Sequence, residues 1–161
     1  MAVTMNLKAL ESIYYFWLAT KGKEKVGEQY IASVGDLDEM SPIYEDDFSK
    51  ESVRKVLSAI SNKEMFPWNK KEGRFWNNNM RMFEEFSVME AIVSKVKVLN
   101  LDCLQDMVTD LEVVIVPGHV EPLYKTDGKL VLNFFKFGLT DDEAGLTFEG
   151  VPVKEYIEQA L

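Results

Sequence analysis

The spacing of the apolar residues changes near Ser94, and this change constrains the fold more than any other feature of the sequence. Before Ser94, apolar residues recur at the three- and four-residue spacing of helices with one buried face. After it, residues 111–116, 120–125 and 129–137 are rich in β-branched and aromatic side chains, which is typical of strands. The sequence therefore predicts an α+β fold, in which a helical N-terminal part packs on a mainly antiparallel β-sheet and a C-terminal helix completes the chain.

The N-terminal part contains four helical patterns. The first is bounded by Asn6 as its N-cap and Gly22 as its C-terminal stop, and Ser49 caps the third. Trp17 and Leu57 are expected to be buried because they lie on the apolar stripes. The stripes consist of Leu7, Leu10, Tyr14, Trp17 and Leu18; Val26, Tyr30, Ile31 and Val34 in a weaker helix over residues 23–34; Val53, Val56, Leu57 and Ile60; and Met82, Phe83, Phe86, Met89, Ile92 and Val93.

An aromatic and basic segment separates the third helix from the fourth. Residues 66–76 are expected to form a loop, and the asparagines at 77–79 then cap the fourth helix, which should end near Ser94. Aromatic rings interleaved with cations over residues 66–81 could stack bases and neutralise phosphates, as single-strand binders do. The net negative charge of the chain opposes this function. We expect the tryptophans to pack on the core and the cations to remain in solvent.

The strand region contains one strong hairpin signal. Asp127-Gly128 separates residues 120–125 from 129–137, and this dipeptide favours a two-residue turn between antiparallel strands. Residues 129–137 are apolar on both faces, which predicts a central strand. Val96 and Val98 are assigned to an earlier strand, and the region ends with a short strand at 146–148, a turn at Glu149-Gly150 and a helix that opens at Pro152.

Chain length and cysteine content limit the class of protein. A chain of 161 residues fits a single domain over 1–161, and its 47% hydrophobic residues are sufficient for a core. The apolar run at 13–19 is shorter than the roughly 18 to 20 residues that cross a bilayer, so we expect a buried helix and no membrane association. One cysteine, Cys103, excludes an internal disulfide and favours a cytoplasmic location, with the thiol packed as a small buried apolar group.

Net charge points to the kind of partner. The chain has 27 acidic residues against 18 Lys and Arg, for a formal charge of −9, which repels nucleic acid and attracts a basic protein. Residues 36–47 contain six carboxylates and no Lys or Arg, and we expect them to form an exposed loop. The predicted partner-binding residues are Asp36, Asp38, Glu39, Glu45, Asp46, Asp47 and Glu51.

The sequence contains no motif of an established catalytic, metal or cofactor site. Catalysis through an imidazole would depend on His119, the one histidine, which lies in a turn without a nearby nucleophile and is assigned no role. One His and one Cys cannot form a usual zinc site, and the acidic segment lacks the EF-hand spacing. The glycines match neither a P-loop nor a dinucleotide-binding motif. No catalytic residue, metal ligand or cofactor is therefore predicted, and a binding protein is favoured over an enzyme.

Two functions remain open on these residues. The leading hypothesis is a non-enzymatic acidic binding protein, an immunity or inhibitor protein that neutralises a basic toxin or nuclease through protein–protein contact. It rests on class analogy, because small acidic proteins without catalytic signatures often cover the active sites of cationic toxins. The alternative is a small-molecule-binding or enzymatic α+β domain with a pocket between the sheet and the helices.

Overall fold

The computed structural model describes residues 2–108, 110–141 and 145–161, and it confirms the α+β class with a C-terminal helix. The helices are α1 (Lys8–Lys21), α2 (Glu28–Gly35), α3 (Lys50–Asn62), α4 (Lys70–Glu84), α5 (Phe86–Lys97) and α6 (Val153–Ala160). The strands are β1 (Ala2–Asn6), β2 (Asp110–Val116), β3 (Leu123–Thr126), β4 (Lys129–Asn133), β5 (Phe137–Leu139), β6 (Leu146–Phe148) and β7 (Val151–Pro152). Short 3₁₀ segments lie at Asp38–Ile43, Asp102–Leu104 and Phe134–Lys136.

The larger sheet is mixed and has the strand order β1-β2-β4-β3. β2 pairs in parallel with both β1 and β4, whereas β3 and β4 are antiparallel. The nearly continuous apolar run of β2 suits this position, because a parallel strand at the centre of a sheet is covered on both faces. β5, β6 and β7 form a second, antiparallel sheet.

The predicted hairpin is confirmed, with shorter strands than expected. Thr126 pairs with Lys129 across the Asp127-Gly128 turn, where Gly128 has a φ of 72°. β4 is a central strand, as predicted, but it ends at Asn133. The side chain of Asn133 accepts a hydrogen bond from the backbone N–H of Phe135 and so begins a 3₁₀ turn in place of the strand predicted to reach residue 137.

The capped third helix is confirmed. The Ser49 side chain accepts from the backbone N–H of Glu51 at 3.2 Å, and the Ser52 hydroxyl accepts from the backbone N–H of Ser49. Trp17 and Leu57 are fully buried, as predicted. The other early boundaries differ: Asn6 closes β1, Leu7 is the N-cap of α1, and the second helix begins at Glu28.

The prediction of a loop over residues 66–76 was wrong for its C-terminal part. Asn69 accepts from the backbone N–H of Glu72 at 2.8 Å, so α4 begins at Lys70 and the asparagines at 77–79 lie inside a helix. The predicted fourth helix is two helices, because the helical conformation is interrupted at Glu85, between α4 and α5. Val96 is buried on α5 and Val98 follows it as the C-cap, so neither belongs to a strand.

The buried apolar side chains of both parts form one connected core. The acidic segment contributes to it, because Met40 and Ile43 are fully buried within the 3₁₀ segment Asp38–Ile43. This part of the chain is therefore an anchored turn structure, unlike the plain exposed loop that its composition predicts. Within residues 2–108, 110–141 and 145–161, no helix has both the length and the apolar character that a bilayer crossing requires.

Candidate functional site

Six of the seven predicted partner-binding residues are exposed. Asp36, Asp38, Glu45, Asp46, Asp47 and Glu51 lie between the end of α2 and the first turn of α3, and we call them the carboxylate surface. Glu39 is half-buried. The sequence therefore identified a set of carboxylates that the fold leaves largely in solvent.

Buried anchors fix the backbone beneath the carboxylate surface. Ile43 and Phe48 are fully buried on either side of the turn that carries Glu45, and Glu45 and Phe48 pair through two backbone hydrogen bonds of 2.7 and 3.2 Å. The Tyr44 hydroxyl donates to the carbonyl of Gly35 at 2.6 Å. Burial and the nearby Asp36 raise the pKa of the Tyr44 phenol, which keeps it a donor. The carboxylates are thus displayed from a fixed scaffold.

Lys71 of α4 lies among the carboxylates although it is distant in sequence. Its ammonium forms ion pairs with Glu45 and, at 2.8 Å, with Asp47. Hydrogen bonds to Asp47 and Glu45 raise the pKa of Lys71, and the bond from Lys71 lowers the pKa of Asp47. The amide of Asn69 also donates to the backbone carbonyl of Asp47 at 2.8 Å. The lysines of segment 66–81 were expected to remain in solvent, and Lys71 is partly exposed, but its pairing with two carboxylates was not expected.

Two further cations contact the ends of the carboxylate surface. Lys50 lies 3.6 Å from Asp36, and Arg54 pairs with Glu51 one turn along α3. Asp38 and Asp46 form no ion pair within the described part of the chain. Lys50, Arg54 and Lys71 face six carboxylates, so the surface keeps an excess of negative charge.

Glu39 has different neighbours from the carboxylate surface. The amide of Asn6, at the end of β1, donates to Glu39 at 3.0 Å and to Glu112 of β2 at 2.7 Å. The bond from Asn6 lowers the pKa of the Glu39 carboxyl despite its partial burial. Glu39 therefore links the 3₁₀ segment to the sheet and is less available to a partner than the other predicted residues.

His119 is fully buried, and both of its ring nitrogens contact backbone groups. Nδ1 accepts from the N–H of Val120 at 2.8 Å. Nε2 lies 3.0 Å from the carbonyl of Ile43, to which it donates in the tautomer that carries the proton on Nε2. Its ring also packs on Phe48, with centroids 4.5 Å apart. These contacts give His119 a structural part in holding the loop after β2 against the acidic segment.

Two asparagines that sequence reasoning missed fix the loop at His119. The buried Asn133 amide donates to the carbonyls of His119 and Glu121, each at 3.2 Å, and Asn78 donates to the carbonyls of Gly118 and His119. An asparagine at the last position of a strand, as Asn133 is in β4, is a weak signal for such a bond. The partners of both side chains are distant in sequence, so the loop could not have been predicted locally.

Glu72 joins the two helix caps and was also missed. Its carboxylate accepts from Ser52 at 2.8 Å, from Lys55 at 3.3 Å and from the backbone N–H of Asn69 at 3.3 Å. The sequence signal was present, because an asparagine followed three residues later by glutamate is a capping-box pattern. Glu72 thereby ties α4, which carries Lys71, to the start of α3.

The described residues also bear on metal and thiol chemistry. Within 2–108, 110–141 and 145–161, no three His, Cys, Asp or Glu side chains are grouped so that they could hold a metal ion.

Cys103 is exposed, so the expectation that it is buried was wrong. It follows Asp102 in a short 3₁₀ turn, whose buried side chain is that of Leu104.

An apolar cleft lies among helices. It has a volume of about 440 Å³ and is formed by the C-terminal ends of α1 and α3 and by one side of α4. Ile60, Trp76, Met80 and Phe83 provide apolar walls. The alternative function considered from the sequence would need a different pocket, between the sheet and the helices.

Comparisons with protein-family models, with curated proteins and with solved structures found no match to this chain.

Proposed function

We propose that this chain is a non-enzymatic, cytoplasmic binding protein that docks a basic protein, such as a toxin or a nuclease, on its carboxylate surface and thereby inhibits it. The observation that supports this proposal is an excess of exposed carboxylates on a backbone anchored by Met40, Ile43 and Phe48. A fixed scaffold favours binding because less conformational entropy is lost when the partner docks.

The electrostatics around Tyr124 support the same surface. Burial, followed by the nearby charges of Glu45 and Glu121, raises the pKa of the Tyr124 phenol to about 12. Burial is the larger cause and Lys71 opposes the two carboxylates, so the rise indicates only that the charges of Glu45 and Glu121 lie near the edge strand β3. The excess of negative charge on the carboxylate surface steers a cationic partner and acts mainly on the association rate.

The first experiment identifies the partner and tests the surface together. The wild-type chain and a triple variant, Glu45→Lys with Asp46→Lys and Asp47→Lys, are immobilised and exposed to lysate of the source organism at low salt. We expect a basic protein to be retained by the wild type and lost from the variant. If the two baits retain the same proteins, the carboxylate surface is not the binding site.

A matched control separates the location of the charges from their number. Glu84, Asp106 and Glu158 are exposed outside the carboxylate surface, and their reversal to lysine changes the net charge by the same amount. We expect this control to retain the partner and to associate with it at a rate close to that of the wild type. The carboxylate-surface variant should associate at least about tenfold more slowly at low salt, and the difference should shrink as salt screens it.

A further inference from the structure

The apolar cleft among α1, α3 and α4 has a cationic mouth. Lys21, Lys23 and Lys63 line it, and Glu64 is the carboxylate among its lining residues. The Lys21 ammonium lies 4.7 Å from the centroid of the Phe86 ring, whereas Lys23 and Lys63 form no ion pair in the part of the chain described. A positive mouth on a chain with a formal charge of −9 is complementary to an anion.

Both unpaired lysines occupy a backbone conformation that favours glycine. Lys23 has a φ of 63° and Lys63 a φ of 57°, and each follows the end of a helix. Such left-handed positions usually carry glycine, because a Cβ atom there is strained. Gly22 is adjacent to Lys23 but has an ordinary φ of −77°.

The two helix ends are built alike. Residues 19–24 read ATKGKE and residues 59–64 read AISNKE. The backbone N–H of Glu24 donates to the carbonyl of Ala19, and the backbone N–H of Glu64 donates to the carbonyl of Ala59, both at 2.8 Å. Each helix thus ends with a lysine at a strained backbone position, and both lysines line the same cleft. Glycine would suit these positions better if they served only to end the helices.

A third observation concerns Thr20 on the cleft lining. Its Oγ1 is buried and has no hydrogen-bond partner among the described residues. Buried hydroxyls are normally paired, since an unpaired one costs free energy. An acceptor oxygen at the mouth of the cleft would satisfy it.

We propose that this cleft binds a small aromatic carboxylate. Trp76, Phe83 and Met80 offer aromatic and thioether surface to a flat ring, and the volume of about 440 Å³ lies within the usual range of ligand pockets. The carboxylate of the ligand lies at the mouth of the cleft, where Lys23 and Lys63 neutralise its charge and the Thr20 hydroxyl donates a hydrogen bond to it. This site is separate from the carboxylate surface, so either proposal can fail without the other.

The test uses 2-naphthoate as the probe, with calorimetry for affinity and, for location, methyl NMR of Met65 and Met80, which both line the cleft. The uncharged 2-naphthylmethanol has the same ring system without the carboxylate, and acetate has the carboxylate without the ring. We expect 2-naphthoate to bind at least about tenfold more tightly than either control and to shift both methyl resonances. Absence of binding, equal affinity for the alcohol, or binding that leaves both methyl resonances unshifted would overturn the proposal.

Two lysine variants test the mouth of the cleft. Lys23→Gln combined with Lys63→Gln should weaken 2-naphthoate binding about tenfold or more, whereas Lys125→Gln combined with Lys154→Gln, at exposed positions outside the cleft, should leave affinity unchanged. Lys63→Gly should raise the denaturant midpoint, because strain is relieved, while it still weakens binding. If Lys63→Gly raises stability and leaves affinity unchanged, the lysine serves only the helix end and the assignment is wrong.

Discussion

The indole N–H of Trp17 on α1 donates to the side-chain carbonyl of Asn79 on α4 at 2.8 Å, and both residues are fully buried. The amide of Asn79 donates in turn to the backbone carbonyl of Phe75 at 2.8 Å. We expect Asn79→Ala to lower the free energy of unfolding by about 1–3 kcal/mol, because the indole N–H would remain buried without an acceptor. Urea denaturation measures this change.

Asn77 provides the control for Asn79, because it is exposed on the same helix. Asn77→Ala should leave the free energy of unfolding unchanged or raise it by a few tenths of a kcal/mol, about the gain in helix propensity. Equal effects of the two substitutions would show that the bond to Trp17 contributes nothing.

The loop before His119 leaves no room for a side chain at Gly118. A Cβ atom there would lie 2.7 Å from Cγ of Asn133, whose amide is held by hydrogen bonds on both sides. Gly118→Ala should therefore lower the free energy of unfolding by roughly 1–3 kcal/mol. Thermal or urea unfolding is the measurement.

Gly73→Ala is the matched control for Gly118→Ala. Gly73 lies inside α4, and a Cβ atom added there would lie 3.5 Å from the Cβ atom of Trp68, an ordinary van der Waals distance. This substitution should raise the free energy of unfolding by about 0.5–1 kcal/mol, because alanine loses less backbone entropy in a helix. A neutral Gly118→Ala would mean that Asn133 can move away.

Glu72 should make stability depend on pH. Burial alone raises the pKa of its carboxyl, but bonds from Ser52, the Asn69 backbone and Lys55 outweigh burial, and the net pKa is lowered. The folded pKa lies below the ordinary glutamate value of 4.5. The contribution of the Glu72 carboxylate to the free energy of unfolding is therefore complete above pH 4.5 and is lost as pH falls through the folded pKa. Glu72→Gln should cost roughly 1–3 kcal/mol near neutral pH and progressively less in acid.

The measurement for Glu72 is urea denaturation of wild type and Glu72→Gln from about pH 7 to about pH 3. Glu84→Gln, at an exposed position of the same helix, is the control and should change the free energy of unfolding much less than Glu72→Gln near neutral pH. A Glu72→Gln difference that is constant over the whole range would contradict the role given to its charge.

The two helix caps show which parts of this fold could be predicted from the sequence. Ser49 was identified because its signal is local: a capping residue directly before an apolar stripe. Asn69 has the same chemistry, but residues 66–76 resemble a loop and the asparagines at 77–79 offered competing caps. The reciprocal bond with Glu72 decides between them.

Long-range pairing explains most of the remaining differences. β1 has only five residues, and its partner β2 begins more than a hundred residues later, so no local pattern indicates it. The carboxylates of the candidate site were visible in the sequence. Their neutralisation was not, because Lys71 approaches Glu45 and Asp47 only through the packing of α4.

The position of Lys71 gives the last prediction, which rests on the proposed function. Its ammonium offsets charge at the centre of the carboxylate surface, where Glu45 and Asp47 flank Asp46. Lys71→Gln makes this surface more negative and frees both carboxylates for a cationic partner. We therefore expect faster association with the retained basic protein at low salt, by about the few-fold that one added charge gives, and a steeper dependence on salt.

Stopped-flow association at two salt concentrations tests Lys71→Gln against Lys154→Gln, which changes the net charge equally on the exposed side of α6. The melting temperature is measured alongside, because Lys71 also connects α4 to the acidic turn. Lys71→Gln should accelerate association, and the Lys154→Gln control should do so far less, because screening over about 10 Å at 0.1 M salt limits steering to nearby charges. If Lys71→Gln instead slows association while the melting temperature is unchanged, Lys71 itself contacts the partner. The partner would then recognise the ion pairs of Lys71 and not the excess of negative charge on the surface.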